Sequence, residues 1–129
     1  MYQYIMIKGD GPVNLRECYA AAAADYDDVM RRFMSENRVD RFLTMFLRDG
    51  SFELLCSAMD AGDYQDAFRA VHTIKGISMN LSLNALRDAC IELTENLRAG
   101  TPDDRTQPCF DRVREEYHRT RAAIRSHLN

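Results

Sequence analysis

The 129-residue sequence contains no tryptophan, only three prolines and only six glycines. So little proline and glycine excludes a collagen-like or low-complexity chain, and the length is typical of one domain. Hydrophobic residues make up 46% of the sequence and charged residues 29%, which is enough apolar material for one hydrophobic core. We therefore expect a single compact domain over residues 1–129.

The sequence also lacks any block of basic residues and any long apolar run. Its formal net charge is −3 at pH 7, and its lysines and arginines are spread along the chain. This distribution argues against nucleic acid and against a membrane surface as the main partner. The apolar patch within residues 1–8 is too short for a membrane span or a signal peptide. We expect a cytoplasmic protein.

Nothing in the sequence indicates a metal site, a disulfide framework or an enzyme. The four cysteines are widely spaced and form no C-x-x-C pair: Cys18, Cys56, Cys90 and Cys109. Their positions in apolar helical patterns favour free, buried thiols over disulfides or metal ligation. His118 and His127 have no His, Cys or Asp partner one helical turn away. No phosphate-binding glycine loop, zinc-protease motif or nucleophile triad is present.

Apolar residues recur with the period of α-helices, and no strand-like alternation competes with them. Two short N-terminal helices are predicted, one from Asn14 to about Ala24 and one from Asp25 to about Ser35. Residues 38–59 then form either one kinked helix or two helices in tandem.

Three further helices are predicted after that segment. One covers residues 64–81, and the next covers residues 83–97 with Ser82 as its candidate cap. The last helix starts at Thr101-Pro102 or at Gln107-Pro108 and continues to residue 128. Short connections favour antiparallel neighbours, so we predict an all-α fold. It is an antiparallel up-and-down four-helix bundle over residues 38–128, with additional helices over 14–35 and a flexible or irregular segment over 1–13.

His72 lies opposite the apolar stripe of the helix predicted over residues 64–81. At about 100° per residue, five apolar residues fall within about 40° of the direction opposite to His72. They are Ala67, Ala70, Ile74, Ile77 and Leu81. We therefore predict that the His72 imidazole faces solvent.

The surroundings of His72 suit the reversible capture of a phosphoryl group. A neutral imidazole is a competent nucleophile near pH 7, and the ammonium group of Lys75 can pair with phosphate oxygens. Gly76 costs a mid-helix site about 1 kcal/mol relative to alanine, so its presence needs a reason. Steric clearance for a partner that approaches the imidazole is such a reason.

The segment His72-Thr-Ile-Lys75-Gly76 resembles the H-x-x-K-G signature of histidine phosphotransfer (HPt) domains of bacterial two-component phosphorelays. Flanking residues extend the resemblance over about residues 38–100: Asp63, Ala67, Ser78, Asn80, Leu81, Leu86, Cys90 and Leu93. Ser82 stands where the family usually has glycine, and Thr94 stands where an acidic residue is common. We expect neither position to touch the phosphoryl site.

The resemblance implies a phosphocarrier without kinase or hydrolase activity of its own. In the family, the histidine accepts a phosphoryl group from a receiver-domain aspartate and gives it to another, while the lysine steadies the phosphoryl oxygens. By position these roles fall on His72 and Lys75. The implied partners are response-regulator receiver domains, a hybrid histidine kinase, or both. Mg²⁺ is expected on the receiver, and this chain needs no cofactor.

Phe68, Arg69 and Met79 surround His72 and are candidate docking residues. Partial burial against neighbouring helices is the alternative for Phe68 and Met79, and an ordinary surface charge is the alternative for Arg69. Two other functions stay open. The chain could be the phosphoacceptor domain of a chemotaxis-type histidine kinase system, or a non-catalytic helical adaptor.

Overall fold

A computed structural model describes residues 13–129, and this part of the chain consists of helices and short connections. Seven helices lie between these limits: α1 (Leu15–Ala21), α2 (Tyr26–Phe33), α3 (Glu36–Arg48), α4 (Ser51–Ala61), α5 (Tyr64–Asn80), α6 (Asn84–Leu97) and α7 (Thr106–Leu128). Helix α5 packs against α4 on one side and α6 on the other, while α7 packs against α6 and α3. The predicted all-α bundle is confirmed.

The first arm of the bundle is two helices in tandem, α3 and α4. Asp49 separates them because its backbone is extended (φ −70°, ψ 134°). Its side chain accepts a hydrogen bond of 2.8 Å from the Ser51 N–H, where α4 begins. Helix α3 starts at Glu36, two residues before the predicted start, since Ser35 caps it by accepting from the Arg38 N–H. The kinked-helix alternative is therefore wrong.

The two N-terminal helices begin at the predicted caps. Asn14 Oδ1 accepts from the Glu17 N–H at 2.8 Å, and Glu17 Oε1 accepts from the Asn14 N–H at 3.1 Å, which completes a capping box. Asp25 caps α2. Both helices end two to three residues before the predicted ends, because the backbone turns left-handed at Ala23 (φ 52°) and Met34 (φ 63°).

Helix α1 contributes to the same core as the bundle. Leu15, Cys18 and Tyr19 are fully buried. The Tyr19 hydroxyl donates a buried hydrogen bond of 2.8 Å to the Leu81 carbonyl at the end of α5. The N-terminal helices are thus attached to the turn that joins α5 to α6.

That turn differs from the prediction, because Ser82 does not cap α6. The N-cap residue is Leu83, which has no side-chain capping bond. Ser82 adopts a left-handed backbone (φ 56°), and its hydroxyl donates to Asp28 Oδ2 at 2.6 Å. A left-handed residue directs its side chain away from the first turn of α6, here towards α2. Glycine is the residue that adopts this conformation most easily.

Helix α7 begins at Thr106, so the start at Thr101-Pro102 is wrong and Pro108 lies in the first turn. The connection before it is held by side chains: Asn96 Nδ2 donates to Asp103 Oδ1 at 2.8 Å, and the Asp103 N–H donates to Thr106 Oγ1 at 2.9 Å. These hydrogen bonds hold the connection in a non-helical conformation up to Thr106, where α7 begins.

The end of α7 is anchored to two other parts of the chain. His127 Nδ1 lies 2.8 Å from the Val13 carbonyl oxygen, and His127 Nε2 lies 2.7 Å from Asp40 Oδ1. The segment predicted as irregular, 1–13, lies outside the described residues except for Val13, which is buried and donates to the Ser126 carbonyl. None of the helices between residues 13 and 129 is long and apolar enough to cross a membrane.

Candidate functional site

Helix α5 carries His72 near its middle, and local sequence defines where this helix begins. Gly62 ends α4 with a left-handed backbone (φ 71°). Asp63 then caps α5, since its Oδ1 accepts from the Asp66 N–H at 3.1 Å. The short Gly-Asp connection reverses the chain and places α5 beside α4.

His72 is exposed, and the opposite side of α5 is buried. The buried stripe is rotated from the predicted one, because Val71 and Ser78 are fully buried while Ile77 is half-buried. Helix α6 packs against α5. Despite this rotation, His72 is exposed to solvent.

Lys75 lies on the flank next to α6 and is half-buried. It is one of two lysines in the sequence, the other being Lys8. The pKa of Glu95 on α6 is lowered mainly by its hydrogen bond from Arg98, and the charge of Lys75 contributes to the same shift. The ammonium group of Lys75 is therefore near α6 and one helical turn from His72.

Gly76 lies on the open side of His72. It is exposed, and a Cβ atom added there would meet no heavy atom within 4 Å. A glycine is thus not required at this position by any contact within the described part of the chain. Because Gly76 has no side chain, no side-chain atoms at this position stand beside the imidazole.

Phe68 packs between His72 and α6. Its ring stacks on the His72 ring, with centroids 6.1 Å apart and planes 14° apart. At the residue that follows the end of α6, the Arg98 guanidinium carbon lies 5.6 Å from the Phe68 centroid. Arg98 is held by Glu95 through two hydrogen bonds of 2.9 and 3.3 Å. Sequence reasoning missed Glu95 and Arg98, because only the packing of α6 on α5 brings them to Phe68.

The other two candidate docking residues are accessible. Arg69 is exposed and pairs with Asp66 at 2.9 Å, and Met79 is 46% exposed. Beside Arg69, a groove between α4 and α5 is lined mainly by small side chains, including Ser57 and Thr73. Leu54 stands at the groove and is 66% exposed. The helical pattern, which places Leu54 among the apolar positions, did not reveal this exposure.

The two positions that depart from the HPt pattern, Ser82 and Thr94, are both buried. Thr94 is fully buried, and its hydroxyl donates to the Cys90 carbonyl of its own helix at 2.6 Å. Ser82 is bonded to Asp28. Burial raises the pKa of the Cys18 and Cys90 thiols to about 12. Between residues 13 and 129, no three His, Cys, Asp or Glu side chains are grouped to hold a metal ion.

Comparison with known protein families gives a match to one family. The family model described as Hpt domain matches residues 28–123, which include the whole face around His72. Neither the comparison with curated proteins nor the comparison with solved structures gives a match.

Proposed function

The chain belongs to the Hpt domain family of phosphotransfer proteins in two-component signalling, and from this premise we propose that His72 carries the phosphoryl group. The observation that supports the choice of His72 is its exposure at the middle of α5, opposite the buried stripe. The other two histidines have different surroundings. His127 is hydrogen-bonded at both ring nitrogens, and His118 contacts the Phe52 ring.

The proposed reaction is an exchange between the His72 imidazole and the aspartyl phosphate of a receiver domain. The lone pair of Nε2 attacks phosphorus in line with the bond to the aspartate oxygen. That P–O bond breaks, and the aspartate leaves as a carboxylate with the electron pair. Nδ1 keeps its proton, so the phosphorylated ring stays activated and the phosphoryl group can pass to a second receiver aspartate by the reverse step.

Lys75 and Gly76 support this exchange in different ways. The Lys75 ammonium, one turn from His72, pairs with the equatorial phosphoryl oxygens and lowers the energy of the charged transition state. The missing side chain at Gly76 lets the receiver approach the imidazole. Arg69 and Met79 provide exposed contacts for the docked receiver.

The chain acts in this proposal as a carrier with neither kinase nor hydrolase activity. Mg²⁺ is bound by the receiver and neutralises the aspartyl phosphate there. The partners are receiver domains of response regulators or of a hybrid kinase, and we expect the exchange to take place in the cytoplasm.

Radiolabel transfer from a panel of phosphorylated receiver domains tests the proposal. At least one receiver should label the wild-type chain, and His72→Gln should lose the label while its melting temperature stays unchanged. His118→Gln is the matched control, because His118 is the other exposed histidine, and it should keep the label. Label retained in His72→Gln would contradict the assignment. Labelling only by ATP with a separate kinase domain would favour the chemotaxis-type alternative.

A further inference from the structure

The His72 imidazole has a ring contact but no hydrogen bond within the described residues. Its flat neighbour is Phe68, one turn earlier on α5, and the two planes are only 14° apart. Arg98, the residue that follows the end of α6, lies over the Phe68 ring, and Glu95 of α6 is hydrogen-bonded to Arg98. The four side chains form a continuous series that ends at the imidazole. We call it the Phe68 stack.

Phosphoryl transfer in line requires the imidazole to point in one direction. An exposed histidine in a helix has two common χ1 wells and a roughly two-fold χ2 torsion, which gives about four orientations. Only one of them directs Nε2 along the approach of the receiver aspartate. Without a hydrogen bond to its ring, the free imidazole would distribute over all four.

We propose that Phe68 is a positioning residue that holds the His72 imidazole in its transfer-competent orientation, and that Arg98 fixes the Phe68 ring for this purpose. The inference rests on the proposed role of His72. Phe68 is half-buried against the core, so its own position is fixed by packing. Arg98 is within the distance of a cation–π contact and is restrained in turn by Glu95.

This role is distinct from the docking role that the sequence predicts for Phe68. A docking residue changes how tightly the receiver binds, so its loss raises the receiver concentration needed for half-maximal transfer. A positioning residue changes the fraction of His72 in the productive orientation, so its loss lowers the maximal transfer rate. Loss of a docking residue therefore changes the half-maximal receiver concentration, whereas loss of a positioning residue changes the maximal transfer rate.

Single-turnover transfer from a receiver domain that labels the wild type separates them. Phe68→Leu keeps an apolar side chain but removes the flat ring. We expect its maximal transfer rate to fall about fourfold, the number of orientations that become equivalent, with an unchanged half-maximal concentration. Phe68→Tyr keeps the ring and should restore the wild-type rate.

Arg98→Gln tests the outer part of the stack without touching a buried residue. We expect it to lower the maximal rate about twofold, because Phe68 packing keeps part of the restraint. Its matched control is Arg114→Gln. Arg114 also pairs with an acidic residue three positions earlier, Asp111, and lies 5.0 Å from a phenylalanine centroid, but on α7. The control should transfer at the wild-type rate.

An NMR measurement examines the stack without any receiver. We expect the Phe68 ring current to displace the His72 Cδ2–H and Cε1–H resonances in the wild type. This displacement should vanish in Phe68→Leu and persist in Phe68→Tyr. A raised half-maximal concentration with an unchanged maximal rate in Phe68→Leu would overturn the proposal, as would unchanged kinetics.

The proposed function can fail on its own. If no receiver labels His72, that function is wrong, while the His72 resonances still report whether the stack orders the ring. Unshifted resonances in the wild type would overturn the stack itself.

Discussion

Gly76 is the position where stability and function are expected to respond in opposite directions. A Cβ at this site would meet no heavy atom within 4 Å, so a Gly76→Ala side chain gains no packing and causes no clash. What remains is helix propensity, which favours alanine by about 1 kcal/mol in a helix interior. With an unfolding entropy of about 2.1 cal/mol/K per residue, this raises the melting temperature by about 4 °C.

The same side chain stands between His72 and an approaching receiver. Transfer should therefore fall in the order Ala, Gln, Leu at position 76, because in-line geometry tolerates little displacement. The assay is a thermal melt and a single-turnover transfer rate on each variant. Gly50→Ala is the control, since its added carbon also meets no atom within 4 Å and it should transfer normally. Wild-type transfer rates in the Gln and Leu variants would refute the clearance argument.

Three further predictions concern single side chains. Lys75→Ala should slow transfer in both directions and shorten the lifetime of the phosphorylated chain, while receiver binding by titration stays the same; unaltered kinetics would make Lys75 an ordinary surface cation. Met34→Gly should raise the free energy of unfolding, measured by urea denaturation, by about 1 kcal/mol, because Met34 has a left-handed backbone (φ 63°) and is 79% exposed. A loss of stability would show that the Met34 side chain has a packing role. The pKa of Asp28 is lowered to about 2 by hydrogen bonds from Ser82, Arg32 and Arg31. The Asp28 carboxylate therefore stabilises the fold above the pKa of about 4 that aspartate has in the unfolded chain, and this stabilisation is lost as the pH falls towards 2. Asp28→Asn should therefore be less stable than wild type at pH 6 and converge with it near pH 2, and a constant difference between the two unfolding curves would contradict this.

Local signals made much of the fold predictable. Asn14 and Asp25 both cap the helices that the sequence predicts after them, because capping depends on residues only three positions apart. The exposure of His72 follows from the helical period in the same way.

What the sequence did not reveal depends on packing between distant segments. Arg98 reaches Phe68 across 30 positions, and no periodic pattern specifies which side of α6 faces α5. Ser82 has a left-handed backbone, and its hydroxyl donates to Asp28, which lies 54 positions earlier. A serine in a turn is a common helix cap, and tertiary structure overrides that local preference at Ser82.

The attachment of the N-terminal helices to the α5–α6 turn has a consequence for the smallest chain that can fold alone. The family match begins at residue 28, after Tyr19 and Asp25. Yet Tyr19 donates to the buried Leu81 carbonyl, and the Asp25 N–H donates to the Ser82 carbonyl at 3.0 Å. A chain shortened to the matched residues would leave the Leu81 carbonyl without its donor and expose apolar surface beneath α1. We therefore expect the smallest chain that folds alone to begin before residue 28, where the family match begins.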